Sequence, residues 1–530
     1  VCSSVALGVG MDFGDTDWFQ ASVKSQRPVL SPARVARILK FEVVSVSAPV
    51  RERDRTVGII VTALRGDWLL RRAASNFTRN DTSLVLIDSV GAPFADIGGK
   101  GASTETRAQA LRVASGAAPP RGMRAAAAQT APAAPPVKLG IVTFLTGPAA
   151  GPFGIPGRNS AEIMIEMLNA GKVPAPYATV GLGGAPILPK FVDEAGASAK
   201  QVTEFRNLAQ RDGMNAVVGY ISSGNCLAVA PVAEELKALT VVWDCGTPRI
   251  FEEKPLKYVF RATPHATMDN VAAARYVLKK FPELASFSGI NQNYAWGQDS
   301  WRDFVAAMKA LAPKATVDKE LLPKLFAGEF GAEISALLTT NSKVVHSSFW
   351  NGDLESFIVQ NSARGLPARS TMVYTAGETA MFRLGAKIPD GTIIGARGPH
   401  GVMAPDTPLN KWFRGVYEDR FATAPTYPAY HMAQSILGLK SAWDKAAVAK
   451  SGQQPAIDDV IKAFEGLEFE GPSAKIRMAI GNGHQGIADI AYGSFRFNKA
   501  ENKAEIVDIV RYPAECVNPP PNVKSEDWIK

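Results

Sequence analysis

Ala216-Val217-Val218-Gly219-Tyr220-Ile221-Ser222-Ser223-Gly224-Asn225 and, after a helical stretch, Leu239-Thr240-Val241-Val242-Trp243-Asp244-Cys245-Gly246-Thr247-Pro248 decide the fold of this chain. Ala216–Ile221 is a short apolar run that suits a strand buried on both faces. The Ser-rich turn 222–225 follows it, and Leu227–Ala238 carries Leu227, Val229, Ala230, Val232, Ala233 and Leu236, a pattern that predicts a helix. Leu239–Asp244 is a second strand, closed by the turn Cys245–Pro248. Both turns thereby lie at the carboxyl ends of neighbouring parallel strands, the edge where α/β sheets bind ligands. Hydroxyls, backbone N–H groups and a helix N-terminus meet there, which suits an anion and most simply a carboxylate.

The same alternation extends in both directions. Strands are predicted at Val137–Phe144, Ala285–Asn291, Lys343–Phe349, Thr371–Thr375 and Thr392–Ala396. Helices are predicted at Arg158–Ala170, Lys200–Asp212, Met268–Lys280, Asp299–Leu311, Leu354–Arg364, Thr407–Phe421 and Tyr430–Ala447, with β structure over Lys475–Arg496 and Ala504–Tyr512. Repeated β–α units imply parallel sheets with helices on both faces. Residues 137–515 hold too many units for one sheet, so two Rossmann-like α/β lobes are expected. Residues 1–98 differ: Val35–Ser47, Thr56–Leu64 and Ser83–Ile87 read as strands, the first two parted by a polar turn at Arg51–Arg55. Trp68–Ala74 and the stretch after Asp15–Phe19 read as helical, giving a small α/β segment. Residues 99–136 turn to Ala, Pro, Gly and Arg, and Ala125–Pro136 cannot bury a core, so a linker is expected there. Its Ala-Gln-Thr stretch also resembles the signal-cleavage region of an exported protein, although no complete signal peptide is visible.

Composition narrows the function. The chain has 530 residues, 46% hydrophobic and 20% charged, as a soluble globular protein of about three lobes would. Its net charge of +8 is spread out, without the basic, aromatic-interleaved run of a nucleic-acid groove. The four cysteines lack metal-ligand spacing, and the five histidines form no H-E-x-x-H pair, so neither a metal nor another cofactor is expected. Cys226 and Cys245 follow adjacent strands, as a disulfide or as two small buried thiols. No apolar run is long enough to cross a membrane as a helix.

The Gly-rich loop Thr146–Gly154 lacks both the G-K-[ST] ending and the G-x-G-x-x-G spacing of nucleotide loops. Its Phe153 either covers a ligand at the sheet edge or packs. Ser222, Ser223 and Thr247 are either donors to an anion or helix caps. No G-x-S-x-G elbow surrounds the serines, which argues against a hydrolase. Tyr294–Gln298 and Ser348–Asp353 place Trp296 and Trp350 at strand ends of the second lobe, where a broad ring can cover a flat ligand.

From about 137 to 515 the chain resembles the type I periplasmic binding proteins of ABC transporters, in the branched-chain amino-acid group. The residues that carry the resemblance are Ile141–Gly154, Val218–Ala233, Tyr258–Arg261, Asn293–Gly297 and Asn361–Leu366. It implies two lobes joined by three crossings, near Val259–Ala262, Ala396–Gly401 and Gly466–Ala474, and closing over a ligand. Lobe one would be 137–260 with 398–467, lobe two 261–397 with 468–515, and 516–530 a tail. By motif, Ser222 and Thr247, with backbone near Cys245 and Gly246, would hold a carboxylate beneath Phe153. Trp296 stands where the family usually has tyrosine, and Trp350 or Asn351 occupies the facing aromatic position. The acidic residue that holds the ammonium of amino-acid ligands is replaced by Ala376, with Glu378 two positions on. The resemblance therefore implies a non-enzymatic, extracytoplasmic protein that binds a small carboxylate, an aromatic or branched-chain acid, and delivers it to a membrane permease. Residues 1–98 resemble part of a Cache sensor domain through Val1–Ser4, Asp17–Gln20, Ala48–Val50, Val57-Gly58 and Ile87-Asp88, which keeps a ligand-sensing receptor module as the alternative and an amide hydrolase as a distant one.

Overall fold

A computed structural model describes residues 135–450, 453–521 and 523–529, together with Gln20, Lys24 and the backbone of strands between residues 29 and 97. The chain divides into two compact units, Val1–Gln129 and Thr130–Lys530. In the first, Glu42–Glu52 and Arg55–Arg65 form an antiparallel pair, to which Val29–Leu30 and Arg34–Val35 add short strands. Arg51, Glu52 and Arg55, expected in a turn, are instead paired in these strands. Leu84–Ile87 pairs with Pro93–Ile97. The helices expected after Asp15–Phe19 and at Trp68–Ala74, the Cache-like residues 1–4, and the linker from 99 to 134 lie outside the described residues.

The second unit carries two parallel-dominated sheets flanked by helices. In the first sheet the order is Ile187–Asp193, Val137–Thr143, Ala216–Gly219, Thr240–Val242, Val259–Arg261 and Gln485–Ile487, all parallel, with Lys475–Ile480 and Glu468–Glu470 antiparallel at the edge. The second sheet runs Thr316–Leu321, Ser286–Ile290, Val344–Ser347, Thr371–Tyr374 and Ile393–Gly395 in parallel, then Ile490–Asn498 and Lys503–Tyr512 antiparallel. The central strands are apolar on both faces because helices cover both. Ser222, extended, starts the helix Ser223–Leu236, so the Ser-rich segment forms its first turn and not a separate loop. The longest helix among the described residues, Tyr427–Ala449, has Pro428 in its first turn, where the missing N–H costs nothing, and is buried along most of its length.

The chain passes from the first sheet to the second between Arg261 and Ala266, and leaves the second after Gly395. It then forms Pro408–Phe421 and Tyr427–Ala449, which pack on the first lobe's helix Ile155–Asn169. The third crossing, expected near Gly466–Ala474, falls at Ala488-Asp489. Residues 468–487, expected in the second lobe, complete the first sheet: Arg261 pairs with Gln485, and Phe469, Ile476 and Met478 enter the first lobe's core. The residues expected to form a tail include Val517 and Ile529, both buried in a second-lobe cluster, and Ser525, which hydrogen-bonds Glu252.

Candidate functional site

The strands Ala216–Gly219 and Thr240–Val242 carry Ile221–Ser223 and Asp244–Thr247 to one edge of the first lobe. Opposite them, Tyr294 and Trp296 stand at the start of helix Ala295–Leu311, and Trp350 caps helix Asn351–Ala363. The lobes close so far that the cavity between them leaves about 10 Å³, room for roughly one water molecule. A solute of several heavy atoms therefore enters only when lobes or side chains part.

One wall is aromatic. Phe153 meets Trp350 edge-on at 5.4 Å between centroids and Tyr427 at 5.7 Å, and Tyr294 lies 6.4 Å from Trp350. The Trp296 indole donates to the Ser348 carbonyl at 2.8 Å and carries the Arg397 guanidinium 4.5 Å above its ring. Its ring also lies against Gly246: a Cβ there would sit 2.2 Å from the indole, so glycine is what lets this second-lobe ring reach first-lobe backbone.

The expected carboxylate clamp is arranged differently. The N–H groups of Ile221 and Ser222 each donate at 2.8 Å to Glu194, and the Asn225 amide donates to the same carboxylate at 3.1 Å. The helix start thus receives the protein's own carboxyl group, and Ser222 does not line the cavity. Burial pushes the Glu194 carboxyl up to about 8, against the pull of those three donors. Thr247 donates its hydroxyl to Asp299 at 2.6 Å, and the carbonyls of Cys245 and Thr247 accept from Arg261 at 2.6 and 2.7 Å. Both residues are turned to bracing and not toward a ligand, and Cys245 is also bonded to Cys226. Ser223 does face the cavity; its oxygen accepts from the N–H groups of Gly246 and Thr247 at 3.3 and 3.2 Å, which directs its own proton elsewhere.

Of the second-lobe candidates, Trp296 and Trp350 line the cavity together with Phe153 and Gly246 of the first lobe. Asn351 does not: its side chain accepts from the Asp353 N–H at 2.7 Å, within its own helix start. Ala376 is buried in the apolar cluster that holds Phe153, Trp296 and Trp350, but does not itself line the cavity. Glu378 is likewise turned away, its carboxylate accepting the Tyr427 N–H at 2.8 Å as a helix cap.

Two charged residues that the sequence reading passed over complete the cavity. Arg397, on the second crossing, has a left-handed backbone and is almost wholly buried. Its Nη1 donates to the Asp244 carbonyl at 2.6 Å and to Asp244 Oδ1 at 2.5 Å, Nε to Asp269 at 3.1 Å, and Nη2 to the Pro264 carbonyl at 2.9 Å. His431 Nδ1 lies 2.7 Å from Asp244 Oδ1, and its Nε2 lies 2.9 Å from the Arg397 carbonyl. Burial pushes Asp244 and Asp269 up to about 7 despite Arg397, and holds His431 well below the usual imidazole range. The signal was a charged residue one position beyond the end of the apolar strand Ile393–Gly395, after Ala396, and another directly after Trp243. Among the described residues no group of His, Cys, Asp and Glu is arranged to hold a metal ion, and no helix is long and apolar enough to cross a membrane.

Two α/β lobes closing on a cleft at the carboxyl ends of their strands are matched by a family profile, "Periplasmic binding protein", over residues 136–500. The chain belongs to the periplasmic binding protein family. No curated protein matches the sequence of this binding protein. Among solved structures it is similar to a solute-binding protein of an ABC transporter from Rhodopseudomonas palustris BisB5 in complex with 3,4-dihydroxybenzoic acid, at 19% identity and a TM-score of 0.61, covering 71% of this chain and 97% of that one. An R. palustris ABC-transporter solute-binding protein in complex with 4-hydroxybenzoate aligns at 18% identity and 0.61, covering 71% and 97%. An amino-acid ABC-transporter substrate-binding protein from Pseudomonas fluorescens Pf-5 aligns at 20% and 0.62, covering 72% and 98%. At these identities the likeness is one of fold.

Proposed function

We propose that this binding protein is the extracytoplasmic solute-capture component of an ABC importer, and that its solute is a small aromatic carboxylate. The observation that carries this reading is the cavity itself, lined by Phe153 and Tyr427 from the first lobe, Trp296 and Trp350 from the second, and Arg397 stacked on Trp296. Once the lobes or side chains part, a ring can be received between the aromatic faces, with Arg397 as a fixed cation and Ser223 as a hydroxyl donor for the carboxylate. Charge-assisted hydrogen bonds contribute roughly 1.5–3 kcal/mol each, and with ring burial they reach the ~8 kcal/mol of micromolar binding. Closure over the solute is the event a membrane permease would read, and no bond is made or broken. The Cys226–Cys245 bridge agrees with an oxidising compartment such as the periplasm. That two structural relatives hold hydroxybenzoic acids supports the ligand class.

Calorimetric titration of the purified chain with benzoate, hydroxybenzoates and leucine tests the reading. Micromolar or tighter binding of an aromatic acid is expected; tight binding of leucine with no response to any aromatic acid overturns it.

A further inference from the structure

Asp244 lines the cavity, is 1% exposed, and has one carboxylate oxygen committed and one not. Oδ1 accepts from Arg397 and faces His431, whereas Oδ2 is buried with no hydrogen-bond partner. Buried acceptors are nearly always paired, so this one is an unmet demand on whatever fills the cavity.

The kind of donor it asks for follows from counting protons. The Nε2 of His431 faces the Arg397 carbonyl, which only accepts, so that nitrogen carries a hydrogen. Nδ1 then lies 2.7 Å from Asp244 Oδ1, a contact that requires a proton between the two atoms. Asp244 and His431 together hold that proton and are neutral as a pair. The Arg397 charge is balanced by Asp269, which it also contacts. Tyr427, the remaining polar group of the cluster, is uncharged. An ammonium placed at Oδ2 would lie beside the Arg397 guanidinium, which contacts the same carboxyl group, whereas a hydroxyl supplies the hydrogen bond without a like charge there.

We infer that Asp244 makes the cleft selective for aromatic carboxylates that also carry a ring hydroxyl, with the hydroxyl donating to Oδ2. This rests on the aromatic-acid reading above and narrows it from benzoate-like acids to hydroxybenzoate-like ones.

The test is a titration series of benzoate, 2-, 3- and 4-hydroxybenzoate and 4-(aminomethyl)benzoate against the wild-type chain and Asp244→Asn, with folding of the variant checked by its melting transition. In the variant, Arg397 holds the amide oxygen at the Oδ1 position, so an NH₂ replaces the free acceptor. The best hydroxybenzoate is expected to bind the wild type at least tenfold more tightly than benzoate. That ratio is expected to fall at least fivefold in Asp244→Asn. Equal affinity for benzoate and all three hydroxybenzoates overturns the inference while leaving the aromatic-acid reading intact, and so does tightest binding of the aminomethyl compound. Failure of every aromatic acid to bind overturns both. The wild-type series alone decides the matter should the variant not fold.

Discussion

At the scale of single residues, two carboxylates and one guanidinium reorganise the expected site. The turn 222–225 does gather N–H groups for an acceptor, as its composition implies, but the acceptor is the Glu194 carboxyl, 27 positions earlier than Ile221 and at the end of a strand two places away in the sheet. Local sequence reports the donors; which carboxylate reaches them depends on the strand order that sets Ile187–Asp193 beside Val137–Thr143. Arg397 was hidden for a similar reason, since a charged residue after an apolar strand is usually solvated. Here Asp244, Asp269 and Pro264 supply partners from three other segments. Lysine at this position keeps the charge but has no planar fork to span those partners. Arg397→Lys is expected to weaken binding of the best aromatic acid at least tenfold and to destabilise the fold by about 3–5 kcal/mol, the cost of breaking a buried ion pair, read by calorimetry and denaturant titration.

Among the elements, the strands and helices with strong apolar patterning were legible, the long Tyr427–Ala449 helix and the Val344–Ser347 strand among them. Those that were missed carry weak patterns. Thr316–Leu321 is an edge strand of mostly exposed polar residues, and Ile187–Asp193 is an edge strand interrupted by Pro189. Lys475–Ile480 alternates clearly, yet alternation alone does not say which of two sheets a strand will join. One close meeting of elements across the cleft is the Trp296 ring on Gly246. Gly246→Ala puts a methyl group 2.2 Å from that ring, inside any permissible contact. Each lobe is expected to fold as before, while solution scattering shows a wider particle with ligand and affinity falls at least tenfold; a variant that closes and binds normally contradicts the account of the cleft.

For the molecule as a whole, buried ionisable groups set the pH at which it is most stable. Burial raises Glu194 and Glu378 to about 8, and Asp244 and Asp269 to about 7, from ordinary values of 4.5 and 3.8. An acid held above its unfolded value contributes stability that is present at low pH and lost as pH rises toward the folded value. His265, His346, His400 and His431 are depressed by burial below the ordinary 6.5, so their contribution is present above 6.5 and lost as pH falls. Arg261, lowered by burial to about 9, opposes the carboxyls near pH 9, but between pH 8 and 6.5 the carboxyls dominate and Tm is expected to climb as the solution is acidified. Below 6.5 the histidines oppose them and the curve should flatten. A Tm that falls steadily from pH 8 to 6.5 contradicts this assignment.

Arg397 sits where the chain returns from the second sheet, gripping Asp244 on one side and Asp269 on the other. Swinging the halves apart must strip the guanidinium from one of these anions, so the hinge carries its own hasp. Departure of a captured solute should then keep the pace of that internal unfastening. Added salt quenches charges in water but scarcely reaches buried ones, so the dissociation rate measured by stopped flow should stay nearly level as ionic strength is raised.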